Sequence, residues 1–302
     1  MKRINYFNNH EIDKTKWDAC IKKSINRQVY ACSWYLDIVS NNWDALIYGD
    51  YELVFPIVFK KIFIFKKIYH PFFCQQLGPF SSNKNLLSNE DLLLKIFEYL
   101  NKNYNKFHFS INNHCAFSVK DVVKNQSSVI SLDRINLELD LKLDYKMIYS
   151  NYSQNTKRNL QKNTHYRFVI KEMNDIDLFI DLYKKNVGYK SNLKSKHYKI
   201  MQSLIRTCVM KQIGHMIGLY DDVNNLVACA FFVSYFHRDI LLFHFSSKIM
   251  KVNVMAILID KYIYLNSSKN KFLDFEGSSI PNIKRFYKGF GSLEKNYIHI
   301  IK

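Results

Sequence analysis

The chain has 302 residues, 48% hydrophobic and 16% aromatic, with a formal net charge of +18. That length holds about two domains of roughly 150 residues each, and so aromatic a composition excludes a disordered chain. The charge invites a nucleic-acid or anionic-membrane partner. Yet arginine is rare beside lysine, and Asn and Ile are abundant, which AT-rich codons alone would produce. Both readings stay open.

The six cysteines, Cys20, Cys32, Cys74, Cys115, Cys208 and Cys229, show no CxxC spacing and no histidines at zinc-finger distance. No metal centre is expected from them. Scattered thiols in a chain this long read as reduced, mostly buried and cytoplasmic. The start, Met1-Lys-Arg-Ile-Asn-Tyr-Phe, lacks the apolar core of a signal peptide. No run approaches about 18 uncharged apolar residues, so no membrane span is expected. The nearest is Ile62-Phe-Ile-Phe-Lys-Lys-Ile-Tyr69. It reads either as a strand or loop flanked by lysines, or as a segment that touches a membrane surface.

In chain order, residues 14–25 and 33–40 read as short helices, with Ser33 as N-cap of the second. Trp43–Tyr48 and Tyr51–Phe59 flank Gly49-Asp50 as a hairpin, and Pro71–Gly78 reads as a third extended piece. Ser88-Asn-Glu-Asp91 caps a helix whose apolar residues, Leu92, Leu93, Ile96, Phe97 and Leu100, share one face. Residues 106–111 and 129–141 are extended, and 144–164 form a polar, basic connector helix. A strand over 166–171, helices over 174–188 and 194–210, and strands over 215–220, 226–236 and 240–245 follow. Residues 252–265 are apolar around most of the circumference, which marks a buried helix. Both halves repeat helix, helix, three-strand meander, helix, strand, which suggests two copies of one α/β fold.

The densest stretch is Phe272-Leu-Asp-Phe-Glu-Gly-Ser-Ser-Ile-Pro-Asn-Ile-Lys-Arg-Phe-Tyr-Lys-Gly-Phe-Gly291. It reads as a buried strand, a glycine turn, a helix opening near Pro281 and a glycine exit. Period-2 alternation puts Asp274 and Glu276 on one face at the strand's end, where open α/β sheets place ligands. A final strand covers 297–301.

The order of elements in the second half resembles the GNAT acyltransferase fold. Tyr152-Ser-Gln-Asn-Thr-Lys-Arg-Asn-Leu-Gln-Lys162 is similar to the segment that opens the second domain of Fem-type proteins. Leu273-Asp-Phe-Glu-Gly-Ser278 with Arg285-Phe-Tyr-Lys-Gly-Phe-Gly291 resembles their second signature. The resemblance implies an α/β (α+β) protein with two GNAT-like domains in tandem, each a mixed twisted sheet flanked by helices. Residues 1–145 would form the first and 146–302 the second. It also implies an N-acyltransferase that takes acyl-CoA or aminoacyl-tRNA as co-substrate, with no permanently bound cofactor. The acceptor would be an amine, on a small molecule or a cell-wall precursor such as that of peptidoglycan, and tRNA would be a partner. Two departures stand out. Ser246–Asn253, where the GNAT pyrophosphate loop would fall, has no glycine, which argues against ordinary acetyl-CoA binding. The family's lysine aligns with Tyr287, with Lys288 one position on.

Acyl transfer to an amine needs a proton acceptor, donors aimed at the oxyanion and cations for the donor's phosphates. Asp274 and Glu276 are the candidate bases, although either could instead satisfy the turn after them. Tyr287 could donate to the oxyanion or leaving group, or be a core tyrosine. Asn155, Arg158, Ser246, Ser278 and Lys288 are the candidate substrate-binding residues, against a solvated basic helix face for the first two. His244 reads as a structural histidine or a catalyst. The competing functional reading is a non-catalytic basic module that binds RNA or an anionic membrane, or a homologue that kept the fold without the chemistry. Oligomeric state has no signature in the sequence.

Overall fold

These patterns take shape in a computed structural model that describes residues 2–63, 65–124, 126, 128–162, 166–188, 192–247, 252–276 and 280–302. Contacts divide the chain into residues 1–134 with 296–302, and residues 135–295.

The first unit contains β1 (Ile4–Phe7), α1 (Lys14–Lys23), α2 (Ser33–Val39), β2 (Trp43–Tyr48), β3 (Leu53–Ile62), β4 (Phe65–Ile68), β5 (Phe80–Ser81), α3 (Lys84–Leu87), α4 (Glu90–Asn103), β6 (His108–Ile111) and α5 (Asn113–Lys124). Strands β1 to β4 pair in that order, and β5 adds to β3. The β2–β3 reversal passes through Gly49 at φ +60° and Tyr51 at φ +61°, a left-handed geometry that glycine adopts without steric cost. Asn89 caps α4 by accepting the Leu92 N–H at 2.8 Å. Leu92, Leu93, Ile96, Phe97 and Leu100 of α4 are all buried, in one core with Phe55, Phe59, Phe109, Val119 and Ile300.

Two expectations change here, and one helix was not anticipated. Ser33 is the first residue of α2 rather than its cap. Its N–H and hydroxyl go to Asp18, at 2.7 and 2.6 Å. The third meander strand is Phe65–Ile68, not Pro71–Gly78, which makes a single bridge at Leu77 to Ile111. Helix α5 gave no clear sequence signal. Its buried stripe of Cys115, Ala116, Val119, Val122 and Val123 is composed of small and β-branched residues, which are poor helix markers.

The chain continues as β7 (Ile130–Asp140), α6 (Tyr145–Ser150), α7 (Gln154–Gln161), β8 (Val169–Glu172), α8 (Ile176–Asn186), α9 (Ser195–Met210), β9 (Gly214–Tyr220), β10 (Leu226–Tyr235), β11 (Arg238–Ser246), α10 (Val254–Asn266), β12 (Phe272–Asp274), α11 (Pro281–Lys288) and β13 (Leu293–Ile301). In the second unit the strands run β7-β12-β11-β10-β9-β8. The β11–β12 pair is parallel and its neighbours are antiparallel, so the sheet is mixed. The expected connector helix is two helices, broken at Tyr152-Ser153, where the Ser153 hydroxyl accepts the Thr156 N–H. Residues 296–302 group with the first unit because the end of β13 pairs with β6, Ile298 opposite Ile111 and Ile300 opposite Phe109.

A β-bulge in β11 sets the direction of a site histidine. Phe232 faces Leu241 and Phe231 faces Phe243, so Leu242 is the extra residue of β11. A bulge reverses the side-chain phase. It therefore puts His244 on the same face as Leu241, the face covered by α10.

Candidate active site

The two segments that carry the family resemblance meet in space. The Ser153 N–H donates to Gly289 O at 2.9 Å, and the Tyr152 ring packs edge-on against Phe290 at 5.3 Å. A Cβ at Gly289 would lie 2.3 Å from Thr156 Oγ1, so only glycine allows α7 to dock there. The Tyr145 and Tyr152 hydroxyls both donate to Asp260 Oδ1, at 2.8 and 3.0 Å, and fasten α6 and the start of α7 to α10. Burial raises the Asp260 carboxyl, while the two tyrosine donors pull it back down.

Around this joint lies a cleft of about 900 Å³, with Asn155, Thr156 and Asn159 of α7, Asn253 just before α10, Ala256 of α10, and Asn282, Lys284, Arg285 and Lys288 of α11 on its walls. Positions 281, 284, 285 and 288 are three and four apart and so share one helix face. Lys284 and Lys288 both pair with Glu294, at 3.0 and 2.9 Å. The first turn of α10 opens on the cleft, capped by Asn253 Oδ1 accepting the Ala256 N–H at 3.1 Å. A helix N-terminus carries partial positive charge. With Arg285 and two lysines that share the single carboxylate of Glu294 beside it, the cleft wall keeps a net positive charge and suits an anionic ligand.

Tyr287 lies on the inward face of α11. Its ring stacks on Phe275 at 4.7 Å, and its hydroxyl is 2.8 Å from His244 Nε2. Burial pushes His244 down to about 4. The imidazole is therefore neutral near pH 7, with one ring nitrogen donating and the other accepting. Burial, then the charge of Glu276 and the nearby Tyr183, raises the Tyr287 hydroxyl. Tyr183 on α8 is pushed up to about 12 by burial, then by Tyr198 and Glu276. Glu276 is thus within electrostatic reach of both tyrosines. It is half-buried at φ +54°.

Asp274 has different surroundings. It is buried, with Arg238 Nη1 at 2.6 Å from Oδ2, and the same nitrogen 2.7 Å from Glu138 Oε1. Its Oδ1 accepts the Glu276 N–H at 2.8 Å and so holds the turn. Leu273 and Phe275 join the core that contains Tyr287, so alternation directs Asp274 to the opposite face of the sheet. Burial, partly countered by Arg238, raises its carboxyl.

The sequence candidates are therefore distributed over three places. Asn155 and Lys288 line the cleft. Arg158 donates to Asn155 Oδ1 at 3.2 Å and stands outside the lining. Tyr287 and Glu276 lie near the sheet end, Asp274 behind it, and Ser246 ends β11 opposite Ala228. Ser278, Gly277 and residues 248–251 of the expected phosphate loop lie outside the described residues. Sequence reasoning missed Thr156, Asn159, Asn253, Asn282, Lys284 and Arg285 as cleft residues, although the spacing along α11 was visible. It also missed Arg238 and Glu138 as partners of Asp274. Among the described residues no group of three or more His, Cys, Asp or Glu side chains is arranged to hold a metal ion.

The fold is that of the tandem-GNAT proteins, with two GNAT-like domains and two sheets flanked by helices. The sheet of the second unit is mixed as expected, while the strands β1 to β5 of the first pair antiparallel throughout. The chain resembles FemX over 99% of its own length and 96% of that chain, with TM-score 0.67 and 10% identity. It also resembles the C-terminal domain of a protein assigned as a lysylphosphatidylglycerol synthetase from Agrobacterium fabrum, over 97% and 92% of the two chains, with TM-score 0.60 and 9% identity. A tandem GNAT protein from the clavulanic acid biosynthesis pathway matches over 99% and 98%, with TM-score 0.52 and 8% identity. No protein-family profile matches the sequence, and no curated protein matches it. At these identities the likeness is one of fold.

Proposed function

We propose that the second unit transfers an acyl or aminoacyl group from a phosphate-bearing activated donor, acyl-CoA or aminoacyl-tRNA, to an amine on a small molecule or cell-wall precursor. The observation that carries this reading is the convergence of Lys284, Arg285, Lys288 and the α10 N-terminus on one cleft, walled by both signature segments. Asn155 and Lys288 contact the donor, and Arg158 extends the positive field along α7. Ser246, at the end of β11, flanks the acyl carbonyl.

In the transfer step the amine nitrogen bonds to the acyl carbon and the donor's C–S or C–O bond breaks. Glu276, half-buried at the end of the sheet, takes the proton from the amine. The Tyr287 hydroxyl, oriented by His244, delivers a proton to the departing sulfur or oxygen. Asp274 acts on the reaction through the turn it holds. The shared fold with FemX and a tandem GNAT protein supports this class of chemistry, although a fold alone does not fix a reaction.

The test is equilibrium binding of the full chain to an acyl-CoA mixture and, in parallel, to charged and uncharged tRNA at two salt concentrations. Saturable CoA binding, or tRNA binding that favours the charged form, supports transfer. Binding of tRNA only at low salt, indifferent to charging, would leave a non-specific basic surface in place of the enzyme.

A further inference from the structure

The β3–β4 hairpin in the first unit ends in an apolar tip that projects into solvent. Phe63 is 97% exposed, Phe65 63% and Ile62 48%. Monomeric proteins rarely leave neighbouring large apolar side chains in water without a partner. Directly below the tip the register sets lysine against lysine on two successive rungs, Lys61 opposite Lys66 and Lys60 opposite Lys67. Like charges directly opposed across a ladder are destabilising, and one lysine of each rung is engaged within the protein: Lys60 lies over the Tyr69 ring at 4.0 Å, and Lys66 is answered by Asp44, at 2.8 Å. Among the described residues neither Lys61 nor Lys67 has an ion-pair partner. Beside the tip is a hollow of about 620 Å³ lined by Tyr99, Tyr104, Lys66, Lys67 and Lys106, cationic and aromatic together.

Lysines on an edge strand also discourage pairing with other chains, and β4 is an edge strand. That accounts for the lysines but not for exposed phenylalanines beyond them. Apolar side chains projecting past a collar of cations match the layering of an anionic bilayer, with acyl chains below a negatively charged headgroup plane.

We propose that this hairpin docks the protein on an anionic membrane surface, Phe63 and Phe65 entering the acyl region and Lys61 and Lys67 meeting the lipid phosphates. The inference stands apart from the acyl-transfer reading and neither needs nor supports it.

The test is co-sedimentation of the full chain with phosphatidylcholine vesicles and with vesicles containing roughly one-third phosphatidylglycerol. The wild type should bind the anionic vesicles at least about tenfold better. F63S/F65S and K61Q/K67Q should each lose about tenfold or more while melting like the wild type. In F63W the new indole should shift its emission to the blue on anionic vesicles, beyond any change in the wild type on the same vesicles, whose Trp17 and Trp43 are buried and whose Trp34 is half-buried. Three results overturn the proposal: no preference for anionic vesicles, undiminished binding by F63S/F65S, or self-association of the wild type that F63S/F65S abolishes without any vesicle binding. The last would assign the tip to a second copy of this chain.

Discussion

Arg238 and Asp274 form an ion pair of 2.6 Å across the parallel β11–β12 ladder, and Glu138 takes the same guanidinium nitrogen at 2.7 Å. Removing one member of a buried pair strands the other charge in a low dielectric, which costs about 3–5 kcal/mol. Arg238→Met should destabilise the protein by that amount in urea unfolding. Asp274→Asn should also lower stability, because it weakens both the pair and the turn. Glu276→Gln, at the partly exposed turn, should leave the unfolding free energy within about 1 kcal/mol of the wild type and lower turnover. If Asp274→Asn unfolds like the wild type and only activity falls, Asp274 takes part in the chemistry directly.

The Tyr287–His244 hydrogen bond makes a kinetic prediction. Tyr287→Phe keeps the stack on Phe275 and deletes only the hydroxyl. If that group supplies a proton in the transfer step, kcat should fall by about 10²–10³, with about 1–2 kcal/mol lost in stability from the unsatisfied imidazole. His244→Asn should lower kcat less and shift the pH profile, since it acts through Tyr287. Unchanged turnover in Tyr287→Phe would make the hydroxyl a core group.

Gly289 is the contact point between the two signature segments. Gly289→Ala places a methyl 2.3 Å from Thr156 Oγ1 and 2.9 Å from Phe286 O. Overpacking of this kind costs about 1–3 kcal/mol, and α7 should be displaced from the cleft wall. Thr156→Ala removes the first of those two atoms, so the double variant should recover part of the loss. Strict additivity in a double-mutant cycle would show that the methyl collides elsewhere.

Acid should destabilise the fold. Burial pushes His70, His244 and His299 down to about 4, against about 6.5 in an unfolded chain. Between those values the unfolded chain binds more protons. Stability is therefore fully present above about pH 6.5 and falls as pH drops toward 4, at up to about 1.4 kcal/mol per unit for each histidine. The His70 Nδ1 accepts the Ser110 N–H at 3.2 Å, which needs the neutral ring; its Nε2 donation to Cys74 O at 2.5 Å pulls the other way and is outweighed by burial. Urea midpoints at about pH 7.5 and 5 measure the slope, and His70→Gln should flatten it. Equal midpoints would mean that these imidazoles are hydrated in the folded state.

Local order supplied most of the element list. Leu92, Leu93, Ile96, Phe97 and Leu100 became one buried helix face, Gly49-Asp50 a hairpin turn, and Pro281 the first residue of α11. The failures were equally local in cause. Ser33 looked like a cap but is bonded to Asp18, fifteen residues earlier, and the connector helix broke where Ser153 found Gly289.

By itself the sequence determined the α/β character, the repeated order of helices and meanders, and the two segments around which a site could form. Each is written in residues a few positions apart, where periodicity and turn chemistry act. Only the tertiary structure decided which of the candidate groups meet. The β11 bulge turned His244 toward Tyr287, and strand register brought Arg238 to Asp274 and to Glu138, one hundred residues away. Docking of α7 on α11 shaped the cleft. Register and bulge position are set by the packing of whole faces, so no short run of residues encodes them.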